Sequence, residues 1–141
     1  MTSPSAMFKR LGAPLHNVQW SWGAVRADGS VVLRVWQDET RKIEDGRRLI
    51  RLVNHRAYQG SETNLGYSER LAHLDRLRAG AAGFVVICRA EDVNSRPRSI
   101  ASFDAREVIR LGEIVVLDGD EWGELLERIP IKSLQFSSDP S

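Results

Sequence analysis

Apolar and polar positions alternate most clearly over Val18–Arg26 (VQWSWGAVR) and Val31–Trp36 (VVLRVW), two stretches rich in aromatic and β-branched residues. Between them stand Ala27, Asp28, Gly29 and Ser30, and Asp-Gly supplies the positive φ of a tight hairpin turn. Val18, Trp20, Trp22 and Ala24 share one strand face, and Val32, Arg34 and Trp36 alternate with Val31, Leu33 and Val35. Apolar residues on both faces predict strands buried in a curved sheet. Asp38–Arg47 reads as a charged loop, Arg48–Asn54 as a third strand and His55–Asn64 as a polar loop. Tyr67, Leu71, Leu74 and Leu77 recur at helical spacing, so Tyr67–Arg78 is predicted helical and stopped by Gly80. Gly83–Ala90 is an unbroken apolar strand, and Arg98–Phe103 a further one. Val108–Leu111 and Glu113–Leu117 flank Gly112 as a bulged or kinked strand pair. Asp118-Gly119-Asp120 is a turn, and Glu121–Arg128 is predicted as a short final helix ended by Pro130.

Strands, one middle helix, more strands and a terminal helix do not make regular βαβ alternation. The expectation is an α+β domain. Its sheet is small, curved and mostly antiparallel, or a partly open barrel, with one main helix and a short C-terminal helix. Residues 1–6 and 135–141 read as frayed tails, leaving a single domain over 7–134. A chain of 141 residues buries roughly two thirds of its unfolded surface and needs no staple. The one cysteine, Cys88, excludes an internal disulfide and a four-cysteine zinc site. The amino terminus lacks an export signal, and no apolar stretch approaches membrane-spanning length, so a cytoplasmic protein is expected.

Formal charge is +1, but 17 of the 20 basic residues are arginine. Arginine forks pair with phosphate and guanine, a bias that suits nucleic acid and that a GC-rich genome also produces. Residues 41–56 carry six basic and two acidic side chains, whereas 111–128 carry six acidic and one basic. Such polarisation predicts a basic face on a nearly neutral chain. Arg48 and Arg56 of the basic segment, with Arg96 and Arg98 flanking Pro97, are the candidate phosphate contacts.

No HExxH, GxSxG, phosphate-binding glycine loop or CxxC is present, and no catalytic residue, metal or cofactor is assigned. His16, His55 and His73 are far apart, and Cys88 sits in an apolar strand as a small hydrophobe. His55 and Arg56 followed by Tyr58 offer a minor alternative, general acid catalysis on a phosphodiester by a small RNase or toxin. Tryptophan is the strongest signal. Trp20, Trp22 and Trp36 fall on one hairpin, either as core packing or as rings that converge on a base. With Ser21, Gln37 and Asp38 they form the candidate base-binding pocket, Asp38 being suited to accept from an exocyclic amine.

The stretches LGAPLHNVQWSWGAVRADGSVVLRVWQDE, LGYSERLAHLDRLRAG, FVVICRAEDVNSRPRSIASF and WGELLERIPI resemble a bacterial module found on the amino-terminal side of HNH-type, modification-dependent restriction endonucleases. The resemblance runs from about Phe8 to Ile131. Such modules are similar to readers of the PUA-like superfamily, which includes SRA, EVE and YTH domains. The resemblance implies a small curved barrel holding a flipped, modified base in an aromatic-lined pocket. By residue type that pocket maps to Trp20, Ser21, Trp22, Trp36, Gln37 and Asp38. It further implies a stand-alone reader or excised domain without cutting activity, whose relatives carry or partner a nuclease. DNA or RNA is the expected partner. A protein-interaction or regulatory domain is the main alternative.

Overall fold

Burial on both faces explains the unbroken apolar run at the centre of the chain. The computed structural model describes residues 3–16, 21–55, 64–94 and 99–137, with side chains through 134. Its strands are β1 (Gly23–Val25), β2 (Val31–Trp36), β3 (Thr40–Lys42), β4 (Arg48–Val53), β5 (Gly83–Ala90), β6 (Ile100–Phe103), β7 (Glu107–Leu117) and β8 (Asp120–Pro130). Its helices are α1 (Pro4–Arg10), α2 (Leu65–Arg78) and α3 (Ile131–Ser137). On β5, Phe84, Val86 and Cys88 pack with Met7, Phe8 and Leu11 of α1 and with Ile131 and Leu134 of α3. Val85 and Ile87 join a second cluster with Val31, Leu33, Val35, Ile50, Leu52 and Leu74. Each residue of the run therefore has apolar neighbours on one side of the sheet or the other.

The strands are ordered β1-β2-β5-β7-β8-β4-β3, and β6 pairs with the distal part of β5. The path does not close. β2 and β5 are parallel, from Val31 opposite Gly83 to Trp36 opposite Cys88, and the other pairs are antiparallel. The molecule is thus α+β with a mostly antiparallel, open sheet. α2 lies in its concavity, where Tyr67, Leu71, Leu74 and Leu77 meet the second cluster. The Asn64 side chain caps α2 by accepting the Tyr67 N–H at 2.9 Å, and Gly80, at φ 109°, carries the chain away. At the β1–β2 turn Gly29 adopts φ 88°, and Asp28 Oδ1 accepts from the Ser30 N–H at 2.9 Å and its hydroxyl at 2.6 Å. Among the described residues no helix is long and apolar enough to cross a membrane.

Several expectations need correction. Residues 120–130 form β8 and not a helix. The sequence WGELLER suits a helix locally, but Asp118 (φ 52°) and Gly119 (φ 83°) turn the chain back, and β8 pairs along β7 from Leu117–Asp120 to Glu107–Pro130. Gly123 permits this close packing, because a Cβ there would lie 2.8 Å from Leu111 Cδ2. The two segments flanking Gly112 are one strand, β7, with register shifts between Ile109 and Leu111 and between Leu111 and Ile114. The terminal helix starts later, at Ile131, and passes residue 134. Residues 4–6, expected in a frayed tail, open α1, which Ser3 caps and whose Met7 and Phe8 are fully buried. The charged loop contains a short 3-10 turn, Gln37–Glu39, and β3.

Candidate functional site

The site is organised where the β1–β2 ladder splits. The Arg34 N–H still reaches the Trp22 carbonyl at 2.8 Å, but β1 begins only at Gly23. Arg70 of α2 fills the split. Its Nη2 donates to the carbonyls of Trp22 (3.0 Å) and Arg34 (2.7 Å), and its Nη1 to that of Leu52 in β4 (2.6 Å). One guanidinium, 4% exposed, thus fastens β1, β2 and β4 across the open side of the sheet. It also lies 5.7 Å from the centroid of the Trp22 ring, a cation–π pair.

At 100° per residue, Gly66, Glu69, Arg70 and His73 share one flank of α2, turned from the Tyr67–Leu71–Leu74 stripe. Ser21, buried, donates through Oγ to Glu69 Oε2 at 3.1 Å. Glu69 Oε1 and His73 Nδ1 are buried and make no hydrogen bond. Burial, with Arg70 and Arg76 adding repulsion, pushes the His73 pKa down to about 4. An imidazole neutral in the fold but titrating near 6.5 when unfolded makes the unfolded chain bind more protons between those values. Stability must then fall as pH drops from about 6.5 to about 4, by on the order of 3 kcal/mol. Urea unfolding at pH 7 and pH 5 reads the part of this loss that falls in that window, about 2 kcal/mol. His73→Gln should flatten it, and an equal loss in that variant would refute the assignment.

Of the residues expected to line a base pocket, Ser21 and Trp22 stand here, and Trp20 lies outside the described residues. Trp22 falls opposite Arg34, two positions short of Trp36. Trp36 is half-buried and packs against the α1–α3 cluster. Gln37 and Asp38 are exposed on the 3-10 turn that follows β2. The parallel pairing puts this turn at the same sheet end as the β5–β6 connection, while Arg96 and Arg98 lie outside the described residues. Glu69 and His73 were not signalled by the sequence, because polar residues on a helix read as its solvent face.

Among the described residues of 41–55, β4 pairs with acidic β8, and three of the arginines are neutralised by carboxylates. Arg41 pairs with Asp118 (2.8 Å), Arg51 with Glu39 (2.9 Å) and Asp120 (3.2 Å), and Arg47 with Asp45 (2.8 Å). Arg41 and Arg51 also flank the buried Trp122 ring, at 5.9 and 5.8 Å from its centroid. Arg48 is exposed beside Lys42 on the facing strand, about 13 Å along β4 from Leu52. Arg56 lies outside the described residues.

His55 is held elsewhere. Its Nδ1 is 2.7 Å from Tyr67 Oη and its Nε2 is 2.7 Å from Glu121 Oε2, while Arg78 pairs with the other Glu121 oxygen. Both ring nitrogens are engaged within the protein, so His55 does not present a bare ring nitrogen to a substrate. Tyr58 lies outside the described residues. Burial pushes the Cys88 thiol up to about 11, which leaves it unreactive. Among the described residues no three metal-ligating side chains gather. A half-open cavity of about 380 Å³ lies between the end of α2 and β7, lined by Leu77, Arg78, Leu111, Glu113 and Ile114 among others. Compared with protein-family models, curated proteins and solved structures, the chain matches none.

Proposed function

We propose that the protein is a nucleic-acid-binding module that takes an unstacked base, in DNA a flipped or modified one, beside Trp22, without cleavage activity of its own. The observation that carries this reading is the Trp22 ring set against a guanidinium that three main-chain carbonyls hold in place. A platform already ordered loses little entropy when a base stacks on it. The open, mostly antiparallel sheet with one main helix packed against it supports placing the module with PUA-like readers. Phosphate contacts are assigned to Arg48, Arg56, Arg96 and Arg98.

Affinity for a short single-stranded oligonucleotide should fall steeply as salt rises, because bound phosphates release counterions. Trp22→Ala should weaken that binding by about 1–3 kcal/mol, with the salt slope unchanged. Fluorescence anisotropy across a salt series reads both quantities. Absence of binding at low salt would refute the reading.

A second reading, docking onto a protein partner, is favoured by one observation: β8 neutralises the basic segment. It predicts association that changes little between low and physiological salt.

A further inference from the structure

We infer that Glu69 is the specificity-determining residue of this site, selecting a base that presents an exocyclic amine over one that presents a carbonyl at the same position. The inference rests on the nucleic-acid reading above and adds the chemical class of base.

Two side chains one helical turn apart carry the argument. Ser21 Oγ holds Glu69 by one oxygen at 3.1 Å. The other oxygen, Oε1, is buried and accepts nothing. His73, 7% exposed, likewise buries an Nδ1 that makes no hydrogen bond. Arg70, the next residue, turns its two terminal nitrogens to the carbonyls of Trp22, Arg34 and Leu52, and its Nε, like Glu69 Oε1, is buried without a hydrogen bond. A buried carboxylate oxygen left this way is costly, and such groups in a folded protein call for an explanation. A ligand N–H supplies one.

The surroundings narrow the ligand. Trp22 sets its ring against Arg70 at this flank of α2, where Ser21 and Trp22 precede β1 as irregular backbone. Acidic side chains accept from the amine of cytosine, and adenine carries an amine of the same kind. The carbonyl of uracil or thymine would set oxygen against oxygen at Glu69 Oε1, in a buried place. His73 is neutral above about pH 4, so its Nδ1 adds a second hydrogen-bonding position without charge. Asp38, the acceptor expected from sequence, is exposed on a surface turn and is not needed for this role.

The test uses oligo-dC and oligo-dU, which differ at the base by amine against carbonyl. Binding of the full chain is measured by fluorescence anisotropy at low salt and neutral pH. Oligo-dC should bind about tenfold more tightly than oligo-dU. Glu69→Gln, which keeps an oxygen for Ser21 and turns an amide donor toward the base, should remove or reverse that preference. Its melting curve shows whether it folds. Should it not, the oligo-dC to oligo-dU ratio of the parent protein decides alone. Equal binding of the two by the parent, or a preference kept in folded Glu69→Gln, overturns the role of Glu69 and leaves the nucleic-acid reading standing. Failure of the parent to bind either oligonucleotide overturns the reading beneath it.

Discussion

Replacing Arg70 with alanine will destabilise the fold by about 3–5 kcal/mol, because it takes the charged donor from three main-chain carbonyls at once. The Trp22 carbonyl keeps the Arg34 N–H, but the Arg34 and Leu52 carbonyls lose a charged donor. Charge-assisted hydrogen bonds contribute more than neutral ones, and an orphaned buried carbonyl costs about 1–3 kcal/mol. Arg70→Lys should recover only part of the loss, since a single ammonium cannot span three acceptors set around a planar fork. Urea unfolding reads both variants. An Arg70→Ala loss below about 1 kcal/mol would mean that water takes over the three carbonyls, and the split would then be a solvated gap.

Phe8→Ala should cost about 3–5 kcal/mol, the range for truncating a buried aromatic side chain. Phe8 is fully buried in the cluster that joins α1 and α3 to the sheet. Were α1 a loosely attached terminal segment, the substitution would leave the unfolding midpoint nearly unchanged. The experiment therefore measures whether the amino-terminal helix belongs to the core. Phe8 is distant in sequence from Ser21, Trp22 and Glu69, so a mildly destabilised variant should keep parent-like oligonucleotide affinity.

The parts of the fold legible in the sequence were those with local causes. Asp28-Gly29 specified a turn through backbone geometry, and β4, β5 and α2 followed from apolar runs and periodicity. β8 was not legible, because WGELLER has helical spacing and its pairing with β7 and β4 makes it a strand. The charge polarisation was visible, but not its meaning. Whether basic 41–56 faces solvent or acidic 111–128 depends on β4 lying next to β8, which no local pattern encodes. The candidate site was half legible. Ser21 and Trp22 stand out in the sequence as an aromatic and polar pair, and Asp38 is exposed on the turn after β2. Glu69, Arg70 and His73 belong to a helix flank that meets a split in the sheet, so burial makes them important.

The parallel pairing of β2 with β5 joins residues about fifty positions apart, from Val31 with Gly83 to Trp36 with Cys88. The β7–β8 hairpin needs only the turn at Asp118-Gly119 and can close early, on the microsecond scale of local hairpins. β2 must wait for β3, β4 and α2 to be threaded before it meets β5, and that loop-closure entropy slows the late step. Arg70 bonds the carbonyls of Trp22, Arg34 and Leu52, so its hydrogen bonds join segments 18 to 48 positions away in the chain. The site around Arg70 is consequently completed after the local turns and α2 have formed. Until then the apolar edges of β2 and β5 stand open to other chains, which makes this pair the segment most in need of protection during synthesis.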